Sequence, residues 1–506
     1  MSTPDLPRQH QTTLPTIIKF LPDDAADPRN WPEWRKWSVV ASITLVDLTV
    51  SFGASGYSPA TSKFTKDFDV SPEIGTLGLS LYVLGLALGP MSLAPLSEYY
   101  GRTPLYVIPY GIFLLFLAGT AAVQNVGGFL VLRILSGLFA SVTIANFGGT
   151  IADMWPREQV GPAMFAFLWA AVCGSPMGYF LMSFVAQDHG WRTVMWAILG
   201  ICGGMWLQMV VVLVLLGNET RHSVLLRRMA RRMNEEENVD TYTVPEEMRA
   251  TGVRQLFAKT LSRPFRFLAT ESIVVFGALY NGFLYGLSFL FNGAFNLVFG
   301  DKGYGFDTRG VGLTFLGLMV GISLGPLANL WQQWHYQQQI QEPTDSDNEQ
   351  LVNAPKVKYK PEARVQIGKL AAILLPISLF WFAWTSPPEY GIHWIVPVLA
   401  TVMFGFSFYT LILMTYLYTE EAYLVYSASA LAGIGLSRNI FGCVFPLFGT
   451  QMFEGLGYNW AGTILAVVAC LLVPIPFILE RYGPSLREKS PYARQHMKTD
   501  EDDEET

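Results

Sequence analysis

The sequence predicts an all-α membrane protein, with twelve transmembrane helices arranged as two similar six-helix bundles. Three observations lead there. Hydrophobic residues make up 51% of the 506 residues and charged residues only 15%, against about a quarter charged in soluble domains. The apolar residues fall in long runs, and a hydrocarbon core of about 30 Å needs about 20 such residues of helix. The runs also group six and six around a long basic segment.

In chain order the spans are expected at 37–57, 74–97, 104–123, 127–151, 161–186, 193–217, 266–298, 309–331, 366–386, 391–418, 424–452 and 460–481. The seventh is overlong, which implies tilt or a portion lying at the interface. Residues 1–36 form a polar, proline-containing tail without the apolar core of a cleavable signal, and are expected to be disordered. Residues 37–217 and 266–481 are the two bundles, joined by a linker at 218–265. Residues 482–506 are a tail ending in "KTDEDDEET", which accounts for much of the net charge of −6.

Within the linker, "ETRHSVLLRRMARRMNEEEN" puts Leu225, Leu226 and Met229 on one helix face, with Arg227, Arg228, Arg231 and Arg232 around it. This describes an interfacial helix, residues 221–232 resting on an anionic inner leaflet. A second polar interruption, 332–365, is rich in Gln, Asp and Lys and is expected to be mobile.

Orientation follows from the loop charges. One side holds Arg35, Lys36, Arg102, Arg157, the arginine-rich linker, Lys356, Lys358, Lys360, Arg364, Arg487, Lys489 and Arg494. The other holds only Lys63, Lys66, Arg192, Lys302 and Arg309. The positive-inside rule then places both termini in the cytosol. The cysteines, Cys173, Cys202, Cys443 and Cys470, lie in apolar runs without a pairing pattern, so no disulfide framework is expected. No metal-ligand spacing stands out, and "IGKL" around Gly368 lacks the rest of a phosphate loop. The expectation is therefore no metal, no cofactor, no nucleic acid and no enzymatic hydrolysis of ATP.

The second and eighth spans carry a repeat. "LGPMSLAPL" (88–96) and "LGPLANLWQ" (324–332) place the same Leu-Gly-Pro at the same point of each half. Paired halves of this kind build rocker-switch transporters with a site near the midplane.

Polar residues inside the spans are costly and mark function. Thr44, Asp47, Ser51, Ser55 and Ser58 share one face of the first span. Asp47 lies about 15 Å into that helix at 1.5 Å per residue, a place for a group that takes up and releases a proton. Asn281, Tyr285, Ser288, Asn292 and Asn296 share one face of the seventh span, the equivalent place in the second half. Both stripes are expected to line one cavity; the alternative is inter-helix hydrogen bonding for packing alone. Arg438, deep in the eleventh span and without a nearby acid in sequence, demands a carboxylate, a carbonyl or an anionic substrate. Glu271, one turn into the seventh span, is expected to pair with Arg266 or to serve the gate. Glu420 and Glu421 are expected to be solvated.

The break between spans two and three reads "LSEYYGRTP", Leu96–Pro104. Gly101 permits a short turn and Pro104 suits a first helical turn. Glu98 sits where the helix dipole disfavours an anion, so it calls for a partner, either Arg102 or the start of span eleven near Ser427 and Ser429. A carboxylate gripping the other half would hold the inner mouth shut; the alternative is a plain surface loop.

"APLSEYYGRTP" resembles motif A of the major facilitator superfamily, in the form of its fungal drug:proton antiporter branch. The resemblance covers about residues 27–495. It extends to "DPRNWPEWRKW", "RILSGLFASVTIANFGGTIADMWP", "ETRHSVLLRRMARRM", "YNGFLYGLSFLF", "SASALAGIGLSRNIFGCVFPLF" and "VPIPFILERYGPSLREKSPYA". It implies that Glu98, Gly101 and Arg102 are the acid, turn glycine and base of motif A, and Asp153 the acid after span four. Arg133 matches the intramembrane arginine of motif B, implicated in proton transfer. Gly174, Pro176 and Gly178 ("CGSPMG") match part of the span-five bend of motif C. The sequence departs from the pattern at Ala94, Thr103, Ala170 and Ala171. It also departs at Gly293-Ala294-Phe295-Asn296, where the branch often has Glu-Ala-Phe-Pro, and at Glu421-Ala422-Tyr423, for Asp-Ala-Tyr.

The resemblance implies a monomeric, proton-coupled exporter of a drug, toxin or secondary metabolite, in the plasma membrane or an internal one such as the vacuole's. Asp47 and Arg133 would exchange a proton for substrate, while Glu98, Arg102, Asp153 and Glu271 would latch the inner gate. Two alternatives stay open: a proton symporter or uniporter importing a polyamine, vitamin or organic acid, and a non-transporting nutrient receptor.

Overall fold

The computed structural model describes residues 16–21, 23–156, 159–237, 242–244, 253–341 and 361–494. Arg157, Lys356, Lys358, Lys360 and the end of the acidic tail lie outside the described residues. The first half contains α1 (Glu33–Ser55), α2 (Thr61–Phe68), α3 (Pro72–Tyr100), α4 (Arg102–Ala122), α5 (Val126–Ala140), α6 (Val142–Met154), α7 (Gly161–Asp188) and α8 (Trp191–Val210). The linker holds α9 (His222–Glu237) and α10 (Val253–Thr270). The second half contains α11 (Ser272–Phe299), α12 (Thr308–Gln341), α13 (Gln366–Thr385), α14 (Ile395–Tyr423), α15 (Ser427–Leu472) and α16 (Pro474–Lys489).

Among the described residues, eleven helical stretches are long and apolar enough to cross a membrane. The last of them, Ser427–Lys489, is interrupted at Gly457, whose φ of 79° turns the backbone out of the helix. It therefore supplies two spans, and the architecture is twelve spans in two halves. α5 and α6 form one span with a joint at Ser141, whose Oγ donates to the Leu138 carbonyl at 2.7 Å. Asn125 caps α5, accepting from the Gly128 N–H at 2.6 Å.

The repeat read from Leu-Gly-Pro is present in the packing. In the first half α3 and α5 cross so closely that a Cβ on Gly85 would lie 2.3 Å from the Ile134 carbonyl oxygen, and one on Gly137 2.0 Å from that of Tyr82. In the second half α12 and α14 cross the same way: a Cβ on Gly321 would lie 2.0 Å from the Val402 oxygen, and one on Gly405 2.4 Å from that of Leu318. Only glycine permits such backbone contact.

Two expectations are corrected. The overlong seventh span is two helices. Glu271 is extended (φ −104°, ψ 106°) and separates α10 from a span that starts at Ser272; the polar, basic Val253–Thr270 belongs to the linker. Described parts of the N-terminal tail are held by the linker. Thr16–Ile17 pairs in parallel with Tyr242–Thr243, and Asp27 Oδ1 lies 3.0 Å from His222 Nε2. The acid of the tail and the imidazole of the linker anchor one to the other.

Both described ends of the chain lie on one face of the bundle, here the terminal face. Hydrogen bonds between the halves at the opposite face run from Gln451 to Glu73 (3.1 Å) and from the Thr308 N–H to Gln187 (3.1 Å). Arg309 forms an ion pair there with Asp188.

Candidate functional site

The two polar stripes meet between the halves. Ser51 Oγ donates to the Ala171 carbonyl at 3.1 Å, and Ser55 and Ser175 share a short hydroxyl contact. Asn292 Nδ2 reaches across from α11 to Ser55 Oγ at 3.3 Å, joining the first-span and seventh-span stripes directly. Ser51 and Ser175, with Tyr285 and Ser288, surround a central cleft also lined by Arg438, Asn439, Phe289 and Phe408. The cleft leaves about 20 Å³ open, room for roughly one water. A larger guest enters only when the halves separate.

Asp47 is 1% exposed. The Thr143 hydroxyl of α6 donates to its Oδ1 at 2.6 Å, and among the described residues Oδ2 has no partner. Around it lie further buried polar atoms without partners: Thr44 Oγ1, one turn earlier on α1, and both amide atoms of Asn146, one turn after Thr143 on α6. A buried carboxylate beside unsatisfied hydroxyl and amide groups departs from the fully satisfied packing usual in a protein interior. Thr143 and Asn146 escaped the sequence reading. Their i, i+3 spacing on α6 was the available signal.

Arg133 and Asp47 are not brought together. The Arg133 guanidinium is fully buried and donates to backbone carbonyls of Gly78 (2.7 Å), Gly53 (2.8 Å) and Ala54 (3.4 Å). It lies between the Tyr57 and Tyr82 rings, 4.6 Å from the Tyr82 centroid. It ties α5 to the end of α1 and to α3. Arg438 is placed differently: Nη1 donates to the Tyr416 hydroxyl at 2.9 Å, the guanidinium carbon sits 4.3 Å from the Tyr285 ring centroid, and Nε has no partner. Asn281 turns onto its own helix, donating to the Gly277 carbonyl at 2.8 Å.

The glycines of "CGSPMG" set how α1 meets α7. A Cβ on Gly174 would lie 2.6 Å from Ser51 Cβ and 2.7 Å from the Leu48 oxygen, and one on Gly178 2.9 Å from Phe52 Cα. Pro176, inside α7, removes one helical hydrogen bond between them. The cleft wall is therefore close-packed backbone with a local weakness built in.

At the terminal face, Arg102 Nε donates to Asp153 Oδ2 at 3.2 Å, and its Nη1 to Ser97 Oγ at 2.6 Å. Arg221 and His222 also approach Asp153, at 3.7 and 3.9 Å. Glu98 does not take the partner expected of it, and another carboxylate serves the turn. Glu98 is exposed at the helix end, and among the described residues it bonds neither Arg102 nor Ser427 nor Ser429. Glu219, just after the sixth span, occupies the buried position instead, accepting from the N–H groups of Arg102 (2.9 Å) and Thr103 (3.2 Å). It caps α4 where free N–H groups attract an anion. Gly101 has a φ of 104°, and a Cβ there would lie 2.7 Å from Glu219 Oε2.

Glu271 takes the Tyr423 hydroxyl at 2.9 Å rather than Arg266, because it is 2% exposed and faces α14. Glu421 is not simply solvated: Arg364 Nε donates to it at 2.7 Å. The ion pairs Arg102–Asp153 and Arg364–Glu421 each join parts of one half, whereas Asp188–Arg309 joins the two halves at the opposite face. Between α7 and α12, toward the terminal face, a groove of about 390 Å³ is lined by Phe165, Trp169, Pro326 and Leu330 among others.

Residues 43–437 match the family described as Major Facilitator Superfamily. The chain is 35% identical to "Major facilitator-type transporter sorT" of Penicillium rubens over 95% of its own length and 89% of that protein's. It is 33% identical to "Efflux pump FUBT" of Fusarium oxysporum, over 97% and 79% respectively. It is 35% identical to "Major facilitator superfamily multidrug transporter mdrA" of Aspergillus fumigatus, over 95% and 76%. Among solved structures it resembles the proton:xylose symporter XylE bound to 6-bromo-6-deoxy-D-glucose, with a TM-score of 0.58, 14% identity, and coverage of 89% of this chain and 97% of that one. The last likeness is one of fold.

Proposed function

The chain belongs to the Major Facilitator Superfamily, and from that premise we propose that this membrane-spanning transporter exports a small organic compound by alternating access, driven by protons moving inward. The observation that carries the reading is Asp47: a buried carboxylate with one oxygen unpartnered, set among unsatisfied polar atoms beside a cleft shared by both halves. Such a group changes charge with each proton it takes or releases, and the helices around it respond to that charge. The names of the related pumps support export of organic compounds as the direction.

In this reading the terminal face is cytosolic and both termini lie inside the cell, at the plasma membrane. The Asp188–Arg309 pair latches the outer face, so the state described is one that opens inward. The Arg102–Asp153–Glu219 cluster stiffens the inner end of the first half as it swings. Arg228, Arg231 and Arg232 on α9 are exposed and rest against anionic lipid. The chain acts as a monomer, since each copy carries both halves of the cleft.

The test is flux in membrane vesicles of both orientations with an imposed pH gradient. Proton-driven accumulation in everted vesicles, abolished by Asp47→Asn, is the expected result. Accumulation only in right-side-out vesicles overturns export in favour of import, and flux indifferent to the gradient overturns proton coupling.

A further inference from the structure

We propose that the cargo is an organic anion and that Arg438 is the residue that binds it; this rests on the export reading and specifies its substrate class. Arg438 is 2% exposed, yet it lines the central cleft. Its guanidinium keeps its charge under all conditions the protein meets, and an unpaired buried charge is costly. Among the described residues no carboxylate lies within ion-pair distance of it. The titratable groups that face it are Tyr285 on α11, Tyr416 on α14 and, farther off, Asp47 on α1.

The other intramembrane arginine provides the contrast. Arg133 is equally buried, but carbonyl oxygens of two neighbouring helices occupy its donors, so its place is structural and full. Among the described residues Arg438 spends only Nη1, on the Tyr416 hydroxyl. The remaining edge, Nε with Nη2, is the one that takes both oxygens of a carboxylate, and Nε is without a partner. Tyr285 supports the guanidinium from one side at 4.3 Å.

The rest of the cleft fits the other end of such a guest. Phe289 and Phe408 supply apolar walls, while Ser288 and Asn439 add neutral polar groups. The site is built for a mainly apolar, preferably aromatic molecule carrying one carboxylate or comparable oxyanion. It also makes the exchange with protons direct. Ionised Asp47 and the anion compete for one cation, so a proton on Asp47 leaves Arg438 to the cargo.

The experiment uses the purified full chain in lipid nanodiscs, with two fluorescent probes of similar size: anthracene-9-carboxylate and the neutral 9-anthracenemethanol. The wild type is expected to bind the carboxylate about tenfold or more tightly than the alcohol, the worth of one charged hydrogen bond. Arg438→Gln brings the two probes to the same affinity. Ser288→Asp does the same by supplying the missing counter-charge within the cleft, and it carries the test if Arg438→Gln does not fold. Arg438→Lys, which keeps the charge but not the fork, retains part of the preference. A wild type without preference for the carboxylate, or a preference that survives in Ser288→Asp, overturns the assignment. Vesicle flux separates the two claims. Carboxylate binding without proton-driven efflux defeats the export reading and leaves the anion site standing, while efflux of the alcohol without carboxylate preference does the reverse.

Discussion

The hydroxyl of Thr143 donates a 2.6 Å hydrogen bond to the carboxylate of Asp47, across the contact between α6 and α1. One oxygen of the acid is thereby fixed and the other is left without a partner. Replacing Thr143 with valine keeps the shape and removes the donor. A hydrogen bond to a charged group is worth about 1.5–3 kcal/mol. Thr143→Val is therefore expected to lower proton-driven flux by about tenfold or more at unchanged expression. Flux equal to wild type shows that the carboxylate does not depend on this contact. Asp47→Asn is expected to abolish proton coupling altogether, with the melting temperature in detergent little changed.

The outer latch gives a second prediction. Asp188 and Arg309 sit on different halves and meet at the face opposite the termini. Asp188→Cys with Arg309→Cys, joined by a short bifunctional thiol reagent, is expected to stop flux, and a cleavable reagent to restore it on reduction. The exposed Cys470 and half-exposed Cys443 are replaced by serine beforehand. Cross-linked protein that still transports shows that the two halves do not part at this face.

The turn at Gly101 offers a stability test. Its φ of 104° and the closeness of Glu219 leave no place for a side chain. Gly101→Ala is expected to cost about 1–3 kcal/mol of stability. Glu219→Gln, which weakens the cap on α4, is expected to cost about 0.5–2 kcal/mol. Because both act on one contact, the double variant is expected to fall short of their sum, as read from thermal unfolding in detergent. Full additivity shows two separate roles.

Gly174 provides the fourth. A side chain there would meet Ser51 and the Leu48 carbonyl, pushing α1 away from α7 on the wall of the cleft. Gly174→Val is expected to abolish flux, whereas Gly200→Val, at a glycine of α8 with open space around it, is expected to leave it near wild type. Equal tolerance at both sites removes the role assigned to this crossing.

Much of this could be read before folding. Asp47, Ser51 and Ser55 announced one face by their spacing, and Asn292 announced its counterpart; the contact between Ser55 and Asn292 is the meeting those stripes implied. Leu-Gly-Pro announced the repeat. What the spacing could not carry were partners distant in sequence. Glu219 caps a helix that starts 117 residues earlier, and nothing near Gly101 points to it. Glu98 drew attention because it is next to the turn, although a carboxylate at an exposed helix end is content with water. The break before Ser272 was hidden because apolar sequence resumes within two residues on either side of Glu271, at Leu268-Ala269 and Ile273-Val274, and only one residue is extended. Arg133 and Arg438 look alike as lone cations in apolar runs; what tells them apart is that carbonyls accept from one, while among the described residues a tyrosine hydroxyl accepts from the other.

The paired glycine crossings have a mechanical consequence. Where the backbones of α3 and α5 touch, and again those of α12 and α14, no compliant layer of side chains lies between them to absorb displacement. The two helices of each pair are thereby held to move together, like members of a welded truss. In the proposed mechanism, a change of charge on Asp47 would then be expressed as the tilt of a bundle rather than as rearrangement within it.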